Sequence, residues 1–199
     1  MNKLKYFLFG TFMLAMSVPA AAQDENTATI DAITKVIKSK PADLEDQVKS
    51  VYKKNKKNAD VLVAMGRAFL DVKDTANAIL YADYALKADK KCSAAFILKG
   101  DIAALNNDGG QAAGYYNQAI YFDPKNPEPY YKYASVYRKI SPSEAVGRLE
   151  ELRAQRPDIA VDAMIGHIYY ISNEFDKAAE SYAKADRNKL YERQLTEYA

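Results

Sequence analysis

Two consecutive stretches of the chain share one pattern: ADVLVAMGRAFLDVKDTANAILYADYALKADKKC at residues 59–92 and SAAFILKGDIAALNNDGGQAAGYYNQAIYFDPKN at residues 93–126. Both are 34 residues long. Small residues recur at matching offsets, as in Gly66 and Gly100. Apolar residues recur at spacings of three and four, which lays them along one helix face. Because a fixed period of about 20–50 residues is typical of repeat architectures, the pattern predicts pairs of packed helices stacked in series.

Two further units, residues 127–158 and 159–191, continue the pattern. Ala134 and Gly166 stand where the earlier units have glycine, and we expect these small residues wherever partner helices cross closely. The unit 127–158 is two residues short, with one loss near Ser141 and one after Pro157. Both losses fall in turns, where deletions are tolerated best.

The four units resemble tetratricopeptide repeats. Residues such as Gly66, Phe69, Ala78, Ala85 and the ending Pro124 carry the likeness, which runs from about residue 59 to residue 191. The resemblance implies an all-α fold, a right-handed superhelix of about five antiparallel helix pairs. It also implies that the first helices of the pairs line a concave groove that binds a protein or peptide.

The regions flanking the four units depart from this pattern. We interpret residues 23–58 as a loose tail at 23–27 followed by a degenerate first pair, with helices at 29–38 and 41–54, that caps the array. Residues 192–199 fit either the start of a sixth repeat or a short capping helix. The first alternative makes the chain the front part of a longer protein, and the gene sequence after Ala199 separates the two.

The first 22 residues are typical of a secretory signal. Lys3 and Lys5 precede an apolar run, Tyr6–Val18, and the small residues 20–22 follow it. The run is shorter than the roughly 20 residues that span a bilayer. We therefore expect cleavage after Ala22, no transmembrane segment in the mature chain, and a periplasmic, outer-membrane-associated or secreted protein.

Charge and cysteine content exclude several classes of function. The formal net charge is only +2, and the predicted cleavage removes two lysines, so there is no basic surplus to neutralise nucleic-acid phosphates. The lysines of residues 53–57 are interpreted as a solvated helix end rather than a docking patch. Cys92 is the only cysteine, which excludes an intrachain disulfide and a thiolate metal cluster.

No constellation in the sequence indicates catalysis. His167 is the only histidine, and Cys92 lies far from it along the array. The Asn106–Gly110 turn lacks the glutamate that ends a calcium loop. We therefore expect no enzyme activity, no cofactor and no bound metal.

The resemblance instead assigns a protein-binding groove. Its predicted lining residues are Arg67, Asp71, Asp101, Tyr131, Ser135, Arg138, His167 and Tyr170. Tyrosine and arginine dominate binding hot spots, so Tyr131, Arg138 and Tyr170 are candidate anchors. The Lys/Asn/Arg clamp with which some relatives hold a terminal carboxylate is absent, since Val63 and Ile97 occupy two of its places.

The sequence thus predicts a non-catalytic scaffold or adaptor of the bacterial cell envelope, which could associate peripherally with envelope complexes. The alternative is the substrate-recognition or sensory region of a longer enzyme or of a secretion or assembly component.

Overall fold

A computed structural model of the protein describes residues 20–185, and within them all regular structure is helical. Across residues 20–185, ten helices alternate in direction and form five antiparallel pairs, so the predicted all-α solenoid is confirmed for this range. The helices are α1 Ala20–Ser39, α2 Leu44–Asn55, α3 Ala59–Asp71, α4 Thr75–Ala88, α5 Ser93–Leu105, α6 Gly109–Phe122, α7 Glu128–Tyr137, α8 Pro142–Gln155, α9 Asp162–Ile171 and α10 Phe175–Lys184.

Helix α1 begins earlier than the sequence analysis predicts. Residues 23–27, expected to form a loose tail, belong to the helix. A hydrogen bond from the Asn58 side-chain amide to Asn26 Oδ1, 2.8 Å long, ties this part of α1 to the start of α3. Ile33 and Ile37 are buried in the same cluster as α3. None of the helices in the described range is long and apolar enough to cross a membrane.

Two of the terminal predictions concern residues outside the range 20–185. Most of the predicted signal peptide, residues 1–22, precedes that range, so its cleavage stays a prediction. The sixth repeat or capping helix at residues 192–199 also lies beyond it.

Aspartates join the two helices of the second and third pairs. Asp74 donates its backbone N–H to the Phe69 carbonyl at 2.9 Å, which closes the end of α3. Its side chain accepts the N–H of Asn77 at 3.1 Å and so caps α4. Asp108 does the same between α5 and α6. Because N-cap and C-cap groups satisfy backbone atoms that a helix leaves unpaired, one aspartate both ends one helix and starts the next.

These turns need a left-handed residue just before the aspartate, and Lys73 and Asn107 supply it with φ of 63° and 59°. The turn between α7 and α8 differs, and there Ser141 donates its N–H to the Tyr137 carbonyl at 2.8 Å. Among the described residues no positive φ occurs in that turn. Pro142 opens α8 at its first position, where a missing N–H costs nothing.

Close helix crossings account for the glycines at the repeated position. A Cβ on Gly66 would lie 2.6 Å from Leu98 Cδ2 of the next pair, and one on Gly100 would overlap the ring of Tyr116. The predicted need for small residues is confirmed at both sites. The structure adds that a side chain of a neighbouring helix, not only its backbone, fills the space.

Candidate functional site

The concave side of the array is identified by one long-range contact. Arg67 Nη1 on α3 lies 3.6 Å from Glu128 Oε1 on α7, although α5 lies between these two helices. Side chains can bridge an intervening helix in this way only where the first helices of successive pairs curve toward each other. Arg67 and Glu128 therefore face into the groove.

Ion pairs extend from this contact across the neighbouring helices. Lys132 Nζ on α7 lies 2.8 Å from Asp101 Oδ1 on α5 and 3.7 Å from Glu128 Oε1. The Tyr116 hydroxyl donates to Asp101 Oδ1 at 2.9 Å. We call Arg67, Asp101, Glu128 and Lys132 the ion-paired segment. Two cations alternate with two carboxylates, so the charges in this part of the groove neutralise each other.

Tyr116 supports the ion-paired segment from below. Its side chain is only 2% exposed. Burial, followed by the negative charge of Asp101, raises the pKa of its hydroxyl well above the ordinary value. The hydroxyl therefore stays protonated and keeps donating to Asp101 at every physiological pH.

Toward α9 the groove has a different character. Ser135 and Tyr170 are exposed, and Arg138 and His167 are half-buried. We call these four residues the open segment. Within residues 25–185 no carboxylate forms an ion pair with Arg138. Burial, and then the charge of Arg138, lower the pKa of His167, so this histidine is neutral at pH 7.

Tyr170 is the most exposed aromatic side chain of the open segment, at 57% exposure. Its ring meets the edge of Phe175, itself exposed, with the ring centroids 5.8 Å apart. The two exposed rings at the end of α9 and the start of α10, together with Arg138 on α7, which has no described ion pair, provide apolar and cationic groups on this part of the array. Such a surface suits an extended peptide or a loop better than a small polar ligand.

The structure separates the eight predicted groove residues. Arg67 and Asp101 belong to the ion-paired segment, and four others form the open segment. Asp71 pairs instead with Lys38 Nζ at 2.7 Å, at the turn edge of the first two helix pairs. Tyr131 is half-buried and packs against the hydrophobic cluster of α7–α9, so its ring contributes more to the core than to the surface of the groove.

Lys132 was missed by the sequence analysis, although it links both carboxylates of the ion-paired segment. It does not occupy one of the lining positions that the resemblance provides. A signal was present, because Glu128 and Lys132 are four residues apart and therefore neighbours on one helix face.

The described residues give little support for a metal site or for a reactive cysteine. Over that range no group of three or more His, Cys, Asp or Glu side chains could hold a metal ion. Cys92 is buried, and burial raises the pKa of its thiol. It is therefore a poor nucleophile at neutral pH, since the thiolate is the reactive form.

Sequence comparison adds to this fold and groove. A family model described as tetratricopeptide repeat matches residues 63–127, which cover most of α3 to α6. Residues 63–127 are therefore tetratricopeptide (TPR) repeats. No curated protein matches the chain.

Solved structures show the same architecture over most of the TPR array. A MamA protein is similar with a TM-score of 0.62 and 21% identity, covering 88% of this chain and 96% of that one. TTC0263, a thermophilic TPR protein of Thermus thermophilus, gives 0.57 and 15%, covering 80% and 89%. YrrB, described as a TPR protein with an unusual peptide-binding site, gives 0.56 and 17%, covering 83% and 89%. Identities this low establish the fold alone.

Proposed function

We propose that this TPR protein is a non-catalytic scaffold or adaptor of the bacterial cell envelope. Its partner is a protein or peptide that contacts the concave groove through the open segment. The observation that carries the proposal is the division of the groove into a self-neutralised part and a part with an exposed tyrosine and an arginine without a described ion pair.

The ion-paired segment is a poor place for a partner to bind. A ligand charge that contacts Arg67 or Lys132 must first displace Glu128 or Asp101, so little net electrostatic energy is gained. In the open segment Arg138 and Tyr170 can be covered without breaking an ion pair that the structure describes. Both residue types contribute strongly to binding when an interface excludes water from them.

The similarity to YrrB supports a peptide partner, since that protein is described by its peptide-binding site. Residues 1–22 support the envelope as the location, because their order of lysines, apolar run and small residues is that of a secretory signal. N-terminal sequencing of the protein from fractionated cells tests this part. Gln23 as the first residue of a periplasmic or outer-membrane fraction supports the proposal, and an uncleaved cytosolic chain contradicts it.

The binding site is tested with a partner identified by cross-linking in cells and then purified. Affinity is measured by calorimetry for the wild type and for Arg138→Ala plus Tyr170→Ala. Because hot-spot truncations each cost more than about 1 kcal/mol, we expect the double variant to bind at least about tenfold more weakly. Tyr131 is left unchanged, since its half-buried ring also supports packing.

The matched control is Tyr121→Ala plus Lys125→Ala. It also removes one tyrosine and one cation, and Tyr121 is 80% exposed on α6, a second helix of a pair. The control should bind like the wild type. Equal affinities for wild type and the Arg138/Tyr170 variant would remove the open segment from the binding site.

A further inference from the structure

One edge of the array is rich in lysine. It is the edge where the second helix of each pair leads into the first helix of the next. Because successive pairs stack in parallel, the α2–α3 turn and the α4–α5 turn lie side by side on it. Its lysines are all exposed, and we call the following seven the basic edge: Lys53, Lys54, Lys56, Lys57, Lys87, Lys90 and Lys91.

The basic edge is not neutralised within the described molecule. Over residues 25–185 no salt bridge involves any of its seven lysines. The described carboxylates at this part of the edge are Asp60 and Asp89 of the two turns and Glu25 of α1, fewer than the seven lysines, and Asp89 Oδ1 accepts the backbone N–H of Lys91 at 2.9 Å. The overall net charge is only +2. The positive charge is therefore concentrated by position rather than by composition.

Helix-dipole stabilisation explains only part of the basic edge. Lys53 and Lys54 stand in the last turn of α2, where a cation offsets the negative helix end. Lys56 is the C-cap residue of α2, whereas Lys57 lies beyond that helix and Lys90 and Lys91 lie beyond α4. Helix-dipole stabilisation therefore does not account for three of the seven lysines.

The start of the array lies at the same edge. Asn26 of α1 and Asn58 of the α2–α3 turn are joined by the hydrogen bond of 2.8 Å described above. The chain before α1 is therefore attached beside the basic edge, but the predicted cleavage after Ala22 removes the apolar run Tyr6–Val18, so the proposal below rests on the lysines alone.

We propose that the basic edge docks on a membrane surface of anionic lipid. Lysine is a flexible, strongly hydrated point charge, which suits a diffuse layer of headgroups. Each Lys or Arg close to an anionic lipid surface contributes about 1 kcal/mol of attraction, so a cluster of this size can bind such a surface through charge. The large exposed apolar side chains of the described range lie away from both turns, so an acidic protein would find no aromatic or aliphatic anchor there. The proposal does not depend on the partner of the groove.

The test uses the full chain and sedimentation with vesicles of phosphatidylcholine, either pure or with phosphatidylglycerol added. Lys53, Lys54, Lys56 and Lys57 are changed together to Gln. We expect the variant to bind the anionic vesicles at least about tenfold more weakly than the wild type. Binding to pure phosphatidylcholine should not change, which separates the lysines from any contribution of the apolar run. Salt should release the wild type from the anionic vesicles.

A second quadruple variant controls for net charge. It carries Gln at four exposed lysines of the opposite edge, namely Lys38, Lys40, Lys73 and Lys139. We expect less than about a twofold loss for this control, because its charges face away from the membrane. Circular dichroism verifies that both variants fold.

Three results would overturn the proposal. The first is a wild type that does not prefer anionic vesicles. The second is an equal loss for the two quadruple variants, which would make net charge alone responsible. The third is a wild type that binds poly-glutamate but not vesicles, which would assign the basic edge to an acidic protein.

Discussion

Replacing Gly100 with Ala tests how tightly the third helix pair is packed. The new Cβ would overlap the ring of Tyr116, which is buried and bonded through its hydroxyl to Asp101. The ring has to move, and α5 and α6 must separate or the hydrogen bond must break. Gly100→Ala therefore acts on the core and on the floor of the groove together.

The expected cost follows from three opposing terms. Alanine in place of glycine favours a helix by about 1 kcal/mol. Overpacking a core costs about 1–3 kcal/mol, and losing a hydrogen bond to a charged group costs about 1.5–3 kcal/mol. We therefore expect the free energy of unfolding to fall by about 1.5–5 kcal/mol.

Urea unfolding followed by circular dichroism measures this change, with Gly114→Ala as the matched control. Gly114 lies on α6 of the same pair, and a Cβ there would meet no atom within 4 Å. The control should be stabilised by about 0.5–1 kcal/mol, because only the helix propensity changes. A Gly100→Ala protein as stable as this control would refute the packing argument.

A double-mutant cycle identifies the clash. In a Tyr116→Leu background the ring is gone, so Gly100→Ala should cost at least about 1 kcal/mol less than in the wild type. An unchanged cost would show that the methyl group meets something other than Tyr116.

Two further predictions concern the groove. Burial and then the charge of Arg138 lower the pKa of His167 from 6.5 in the folded protein. As the pH falls, the unfolded chain therefore binds a proton at His167 before the folded protein does. The contribution of His167 to stability is thus lost as the pH falls below about 6.5. Arg138→Gln should raise that pKa, which an NMR titration of the single histidine measures; a lower or equal value would contradict the charge effect. Lys132→Met should lower the unfolding free energy by about 1–2 kcal/mol, between the values for exposed and buried pairs, because it leaves the half-buried Asp101 carboxylate without its cation. Exposed Lys139→Met should change stability by less than about 0.5 kcal/mol, and equal urea midpoints for these two variants would contradict the role of Lys132.

The periodicity of the sequence was sufficient to predict the fold, because each helix pair repeats the same pattern of small and apolar residues. The spacing of Gly66 and Gly100 predicted two close crossings. It did not show that Leu98 of the next pair fills the first and Tyr116 of the same pair fills the second. Such choices depend on side-chain rotamers in three dimensions, which offsets along the sequence do not encode.

The groove was less predictable than the helices. The lining positions indicate which residues lie on the groove side of a helix. They do not show that the long side chains of Arg67 and Lys132 form ion pairs with carboxylates of neighbouring helices. The predicted start of α1 was also wrong. The hydrogen bond between Asn26 and Asn58, which holds this part of the helix, joins residues 32 positions apart. Propensity in one segment gives no sign of a partner so distant.

The contact between Arg67 and Glu128 also has a mechanical meaning. It spans the concave side of the array from α3 to α7, so the distance between the two groups changes when the curvature of the array changes. At 3.6 Å between partly exposed groups, the pair is worth no more than about 1 kcal/mol. This salt bridge is therefore too weak to fix the width of the groove by itself, and the packing between successive helix pairs sets the curvature from α3 to α7.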